Sequence, residues 1–312
     1  MERTLNLKKQ LNALIRLTRY KEYPFFVIVT SLLGAAAANG VMGWKLVGVV
    51  TANLLTVAFA FMINDVEDAP DDALDPAKVM RNPVSAADLS VRTGRLASIG
   101  VGLAAAGVYA FLGGWPLITG LSCLVIAYFY SWRRVRLKSR PIADLLSHGL
   151  MLAGLQFLSA YLTFEPVPFS RWIYPFMFVV GISLYGELFN ELRDLKGDQE
   201  AGITHTANLI GYRAAYILMF ALLLTGVGSA FVTVFVIHLI PLWVVLLWIA
   251  FAAVLVIPKM WRIRQHSSHV AMQESFHKPV EIAAACALSA QFLSPWALAF
   301  FSTSILQGLL SR

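Results

Sequence analysis

Charge is what this sequence has least of. Only 14% of its 312 residues are Asp, Glu, Lys or Arg, while 58% are hydrophobic. Soluble domains carry roughly a quarter charged residues, so a water-exposed globule is excluded. Cysteine is scarce too. Cys123 and Cys286 lie far apart in apolar runs, with no paired spacing for a metal or redox centre, and read as small buried hydrophobes. No cleavable leader is expected, because Arg3, Lys8, Lys9, Arg16, Arg19 and Lys21 all precede the first long apolar run. Leu7, Leu11, Leu14 and Ile15 recur among these charges at helical spacing, so residues 1–23 read as an amphipathic interfacial helix. No Pro/Ser-rich linker or soluble block follows, and residues 24–312 are expected to form a single transmembrane domain.

Long apolar runs fill that domain. They fall at roughly 24–43, 46–63, 95–113, 115–132, 142–164, 172–190, 212–236, 240–258 and 283–307, and a lipid core demands runs of about 20 residues. The fold class is all-α: a polytopic membrane bundle of about nine transmembrane helices. Tight turns such as Gly113-Gly114-Trp115-Pro116 alternate with long polar loops. The alternation sorts the charge. One face collects the leader, then Lys78, Arg81, Arg92 and Arg95, then Arg133, Arg134, Arg136, Lys138 and Arg140. Arg193, Lys196, Arg213 and the basic residues after 258 follow on the same face, and the other face receives Lys45, Arg171 and Arg312. By the positive-inside rule the basic face, and with it the N-terminus, is cytoplasmic. The net charge of +7 therefore reads as topology rather than as a nucleic-acid footprint.

Two acidic ladders interrupt this pattern. The second apolar run leads into Asn64, Asp68 and Asp72, and the sixth into Asn190, Asp194 and Asp198, each set at i, i+4, i+8. That spacing puts each set on one helix face, although Pro70 is positioned to bend the first ladder beyond Asp68. Like charges at i, i+4 repel, more so where screening water is thin. Oxygen donors without a Cys or His set suit a hard cation, Mg²⁺ ahead of Ca²⁺ or Mn²⁺. Because Mg²⁺ completes its shell with substrate phosphates, facing ladders of this kind are suited to grip a diphosphate. Arg81 after the first ladder, and Tyr130, Arg134, Arg136 and Lys138 at and beyond the end of the fourth run, are the candidate partners of that anion. Any cytoplasmic loop collects such residues, and Arg81 and Lys138 stand out from that background.

These residues resemble the UbiA superfamily of intramembrane prenyltransferases. Asn64-Asp65-x2-Asp68-x3-Asp72 matches its first motif and Asp194-x3-Asp198 its second. Tyr130-Ser131 with Arg136-Leu137-Lys138 is similar to the stretch between them, and Gly197 and Ala201-Gly202 also fit. Many members have Arg-Pro where this chain has Arg81-Asn82-Pro83, Ser-Gly where it has Ser85-Ala86, and aspartate where it has Asn190. The resemblance implies Mg²⁺ held by Asn64, Asp68, Asp72, Asn190, Asp194 and Asp198, the four aspartates being catalytic. It implies transfer of a prenyl chain from an isoprenyl diphosphate to a lipophilic acceptor, an aromatic quinone precursor or another isoprenoid. Cyclisation of the chain or carotenoid elongation would share the same first steps. The setting expected is a prokaryotic plasma membrane, with the site on the cytoplasmic side. A cation-coupled transporter would instead place its acids near the midplane, and a CDP-alcohol phosphotransferase needs an Asp-Gly and Ala-Arg pattern that is absent.

Overall fold

The computed structural model describes the backbone of residues 2–165, 170–200, 204–263 and 276–310, and the side chains of residues 8–165, 171–195, 204–259 and 276–297. Every regular element among the described residues is helical. In order these are α1 (Glu2–Leu17), α2 (Pro24–Ala37), α3 (Trp44–Asp72), α4 (Pro76–Arg81), α5 (Val91–Leu112), α6 (Gly114–Ser131), α7 (Ala143–Gly149) and α8 (Leu155–Phe164). Then come α9 (Ile173–Glu200), α10 (Thr206–Ile210), α11 (Tyr212–Phe231), α12 (Leu242–Ile263) and α13 (Lys278–Leu310).

Each expected apolar run coincides with helix. Seven stretches among the described residues are long and apolar enough to cross a membrane. The first run differs, because α2 has only 14 helical residues before the turn at Asn39. The fifth and seventh runs contain π-helical turns, at Leu150–Gly154 between α7 and α8 and at Val232–Val236 after α11. The second and sixth helices outrun their apolar segments: α3 continues through Pro70 to Asp72 and α9 to Glu200. Both ladders are therefore carried on continuous helix.

Local chemistry sets several boundaries. Pro24 and Pro76 occupy first-turn positions where the missing N–H costs nothing. The side chains of Asp75 and Ser90 cap α4 and α5 by accepting from Ala77 N and Thr93 N. Gly113, at φ 135°, makes the tight turn between α5 and α6 that a side chain would strain.

The bundle closes on a buried polar knot. Asn53 of α3 donates to Ser31 Oγ (2.7 Å) and to the Gln156 carbonyl (3.0 Å), and accepts from Tyr109 OH (2.6 Å) and Ser159 Oγ (2.9 Å). Four helices meet there with every Asn53 group satisfied, as a lipid setting requires. Close packing holds them: a methyl group on Gly34 would overlap the Phe157 carbonyl, and one on Gly120 the Tyr109 ring.

The leader is seated against the bundle. Ala13 and Leu17 are buried with Met62, Val66, Ala69, Val84 and Leu89, whereas Leu11 and Ile15 remain exposed. Arg16 binds Asp88 (2.7 Å) and the Met80 carbonyl (2.8 Å). Arg19, in a left-handed conformation, forms an ion pair with Asp65 of α3, both side chains buried. The bundle thus gathers the leader and the loops holding Arg81, Arg133, Arg136 and Lys138 at one end. At the other, Asn39, Arg171, His238 and Gln291 line a smaller cavity of about 370 Å³.

Two outcomes follow. Asn53→Ala should lower unfolding free energy by about 1–2 kcal/mol, read as a lower melting temperature in detergent; an unchanged temperature would mean the knot is slack. Arg19→Ala should cost about 3–5 kcal/mol by leaving the Asp65 charge buried and unpaired, and adding Asp65→Asn should recover most of the loss.

Candidate active site

The end of α3 carries five acids, and helix geometry fans them out. At about 100° per residue, measured from Asn64, Glu67 lies near −60°, Asp71 near −20°, Asp68 near 40°, Asp72 near 80° and Asp65 near 100°. Each direction meets a different element. Glu67 pairs with Arg95 of α5 (3.1 Å), and its carbonyl accepts from Arg133 Nε (2.9 Å). Asp71 takes Arg133 (2.6 Å) and Arg136 (3.0 Å). Asp68 takes Lys138, with Arg136 at 3.5 Å. Asp65 takes Arg19. Asp72 is buried and accepts from Asn82 Nδ2 (2.8 Å), an amide that also donates to the Asp65 carbonyl (2.9 Å). The ladder is therefore not one flat face: Asn64 and Asp68 stay together, and Asp72 drifts by about two steps of 40° toward Asp65. Asn82, which separates this chain from the Arg-Pro of its resemblance, is the residue that holds Asp72.

Lys138 reaches Asn64 and Asp68 because the loop after α6 folds back. Arg136 (φ 46°) and Ile142 (φ 71°) both take left-handed conformations, unusual above all for a β-branched residue. Lys138 Nζ donates to Asn64 Oδ1 (2.8 Å) and to Asp68. Burial pushes the Lys138 ammonium below the ordinary lysine range, and the Asp68 carboxylate pulls it back up. Arg134 lies elsewhere, exposed and against the Trp132 ring at 5.8 Å. Tyr130 donates to Glu187 Oε1 of α9 (3.0 Å).

The second ladder comes from α9. Glu187, Asn190 and Asp194 share one stripe at i, i+3, i+7. Asp194 is exposed and accepts from the neighbouring Arg193 through both oxygens (2.9 and 2.7 Å). The Asp198 side chain, and Ala201 and Gly202, lie outside the described residues. Glu191 points away, capping α10 through Ala207 N (2.8 Å). Asp144 of α7 accepts from Thr206 N (2.6 Å), and Thr206 Oγ1 accepts from Ile142 N (2.7 Å), tying the loops after α6 and α9 together.

One cavity of about 720 Å³ is lined by Asn64 of the first ladder and Asn190 of the second, whereas Asp68, Asp72 and Asp194 are not among its lining residues. Arg19, Arg81 and Arg193 line it together with Tyr23, Phe61 and Tyr185, and the Arg19 guanidinium lies over the Phe61 ring (5.4 Å). Among the described residues no three of His, Cys, Asp and Glu converge on a point. A hard divalent cation still suits the donors. Asn64 Oδ1 and Asp68 share the Lys138 ammonium, and Asp68 Oδ1 is buried with no hydrogen bond among the described residues. Mg²⁺ needs only one or two carboxylates when phosphate oxygens and water complete its shell.

Several residues of this site carry no motif signature. Arg19 is indistinguishable by sequence from the other leader charges. Asn82 stands out only as a departure from the family pattern. Glu187 and His148 are ionisable residues inside apolar runs, and that alone marks a residue in a membrane helix for attention.

Known proteins are similar to this chain in sequence and in fold. The lycopene elongase/hydratase of Haloferax volcanii is 29% identical over 198 residues, 61% of this chain and 61% of that protein. That of Haloarcula japonica is 29% identical over 161 residues, 51% of this chain and 52% of its own length. The chain thus spans about three fifths of one relative and about half of the other. A UbiA homologue from Aeropyrum pernix K1 superposes with a TM-score of 0.65 at 17% identity, covering 88% of this chain and 98% of that one. A UbiA homologue from Archaeoglobus fulgidus, bound to GPP and Mg²⁺, gives 0.56 at 18% identity, covering 90% and 86%. At such identities the likeness is one of fold. The sequence profile of the UbiA prenyltransferase family, however, matches residues 26–278, most of the chain, and by that match the protein belongs to the UbiA prenyltransferase family.

Proposed function

We propose that this protein is a Mg²⁺-dependent intramembrane prenyltransferase that ionises an allylic isoprenyl diphosphate and passes the chain to a lipophilic acceptor. The observation that carries the reading is that Asn64 of the first motif and Asn190, one turn before the second, line a single cavity. An isoprenoid acceptor is favoured because the sequence relatives are lycopene elongase/hydratases. The sorting of basic loops to the ladder end supports a site facing the cytoplasm.

The chain's own residues supply most of what the reaction requires. Asn64, Asp68, Asn190 and Asp194, with Asp198 of the second motif, would hold the cation, whose role when bound is to neutralise diphosphate charge as the C–O bond breaks. Lys138 is a counter-charge already in place. Shared between Asn64 and Asp68, it is poised to turn toward an arriving diphosphate. Arg81 and Arg193, which line the cavity, would hold the leaving group through guanidinium hydrogen bonds. Asp72, buried against Asn82, fixes the helix end beneath these donors. Tyr23 and Tyr185 on the cavity wall offer π faces to an allylic cation, while Phe61 is engaged by Tyr23 (centroids 5.3 Å apart) and by the Arg19 guanidinium (5.4 Å). Leu152, Ile182 and Leu223 on the same walls exclude the water that would quench it.

The test is purified protein in nanodiscs, supplied with geranyl, farnesyl and geranylgeranyl diphosphates and with isoprenoid and aromatic acceptors, and followed by pyrophosphate release and mass spectrometry of the lipids. Asp68→Ala and Asp194→Ala should each reduce transfer at least about 100-fold while the protein still folds; normal turnover in either would remove that residue from the site. Chelation should stop the reaction and added Mg²⁺ restore it, and full activity after exhaustive chelation would overturn the metal's role.

A further inference from the structure

Beneath the diphosphate donors the same cavity holds a second polar group that the ionisation step leaves unused. His148 of α7, Glu187 of α9 and Tyr130 of α6 all line it. Glu187 Oε2 lies 3.1 Å from His148 Nδ1, and Glu187 Oε1 accepts from Tyr130 OH at 3.0 Å. Both His148 and Glu187 side chains are only 14% exposed. A carboxylate that close to Nδ1 favours the proton there, which leaves the Nε2 lone pair available. Among the described residues, nothing hydrogen-bonds that Nε2.

Placement matches the chemistry. Glu187 precedes Asn190 by three residues, about 4.5 Å along α9, so the group lies deeper in the bundle than the donors, where the hydrocarbon of a bound diphosphate would begin. The contact between α7 and α9 is close. A side chain on Gly149, next to His148, would meet Leu184 at 2.8 Å, so the two helices that carry the imidazole and its carboxylate are in close contact there. The π-helical turn Leu150–Gly154 follows at once and puts Met151 and Leu152 on the cavity wall, and such turns are frequent at functional sites.

We propose that His148, oriented by Glu187, is the base that takes the proton released when the acceptor is joined; this rests on the prenyl-transfer reading above. The C1–O bond of the allylic diphosphate breaks and its electron pair leaves with pyrophosphate. The π electrons of the acceptor alkene form the new C–C bond to C1, leaving a tertiary cation on the acceptor. His148 Nε2 removes a proton from the adjacent carbon, whose C–H pair becomes the new double bond, and the imidazolium rests against Glu187. When water captures the cation instead, its O–H proton passes to the same nitrogen and the product is a tertiary alcohol. Tyr130, through its bond to Glu187, is a positioning residue.

The experiment uses the full chain in nanodiscs with the diphosphates and acceptors named above, comparing wild type, His148→Ala, His148→Gln and Glu187→Gln. Expected is a fall in coupled product of about 100-fold or more in the His148 variants and a smaller fall in Glu187→Gln. Pyrophosphate release should continue in all of them, with the chain now ending as free prenyl alcohol. Added imidazole should restore coupling to His148→Ala, which a structural defect would not allow. A wild type that couples nothing overturns the prenyl-transfer reading and the base with it. A wild type that couples, beside His148 variants that couple equally well or that resist imidazole, overturns the base alone.

Discussion

The architecture of the site depends on one electrostatic constraint: five carboxylates crowd the last two turns of α3, at the edge of a medium that tolerates bare charge poorly. Helix geometry sends them in different directions, so no single partner can neutralise them. Arg19 arrives from the leader, Arg95 from α5, Asn82 from the turn after α4, and Arg133, Arg136 and Lys138 from the loop after α6. The acids therefore organise this end of the bundle, drawing the leader and two loops into fixed places. The left-handed conformations of Arg19 and Arg136 fit this account, since both residues sit where the chain must turn sharply to deliver a cation.

A consequence is that the cavity is mixed in character. Amides and guanidinium groups line it together with aromatic rings, aliphatic side chains and the His148–Glu187 pair. An amphiphile with an anionic head and an apolar tail would find partners for both. The polar knot around Asn53 serves a different end. It lies deep among α2, α3, α5 and α8 and fixes their mutual register, which keeps α3 rigid beneath its acids.

Much of this was legible in the residues. Apolar runs gave the helices, and the repeated Asn-x3-Asp spacing marked the two helix ends that share a cavity. What spacing could not convey was the 40° drift per four residues that moves Asp72 from the Asn64 face to the Asp65 side. Nor could it convey that Tyr130 turns to Glu187 and Arg134 to Trp132 rather than toward the donors. Side-chain direction in a folded-back loop depends on backbone conformations such as that of Ile142, which no local pattern announces. Arg19 illustrates a further limit: among six leader charges, tertiary packing alone selects the one that becomes buried. The first expected run, 24–43, is helical only through Ala37 because polar Asn39 and Gly40 end the helix early, although apolar residues resume after them.

That short helix has a bearing on the host membrane. Fourteen residues rise about 21 Å, against a hydrocarbon slab of about 30 Å, whereas α3 beside it rises more than about 40 Å. Ten of those fourteen residues are buried, and α2 packs on α3, α8 and α13. The shortfall of about 9 Å is therefore taken up by neighbouring protein, with the turn at Asn39 and the polar cavity beside Arg171 and His238 continuing the chain past the helix end. Changes in bilayer thickness thus act on the longer helices around α2 rather than on α2 itself.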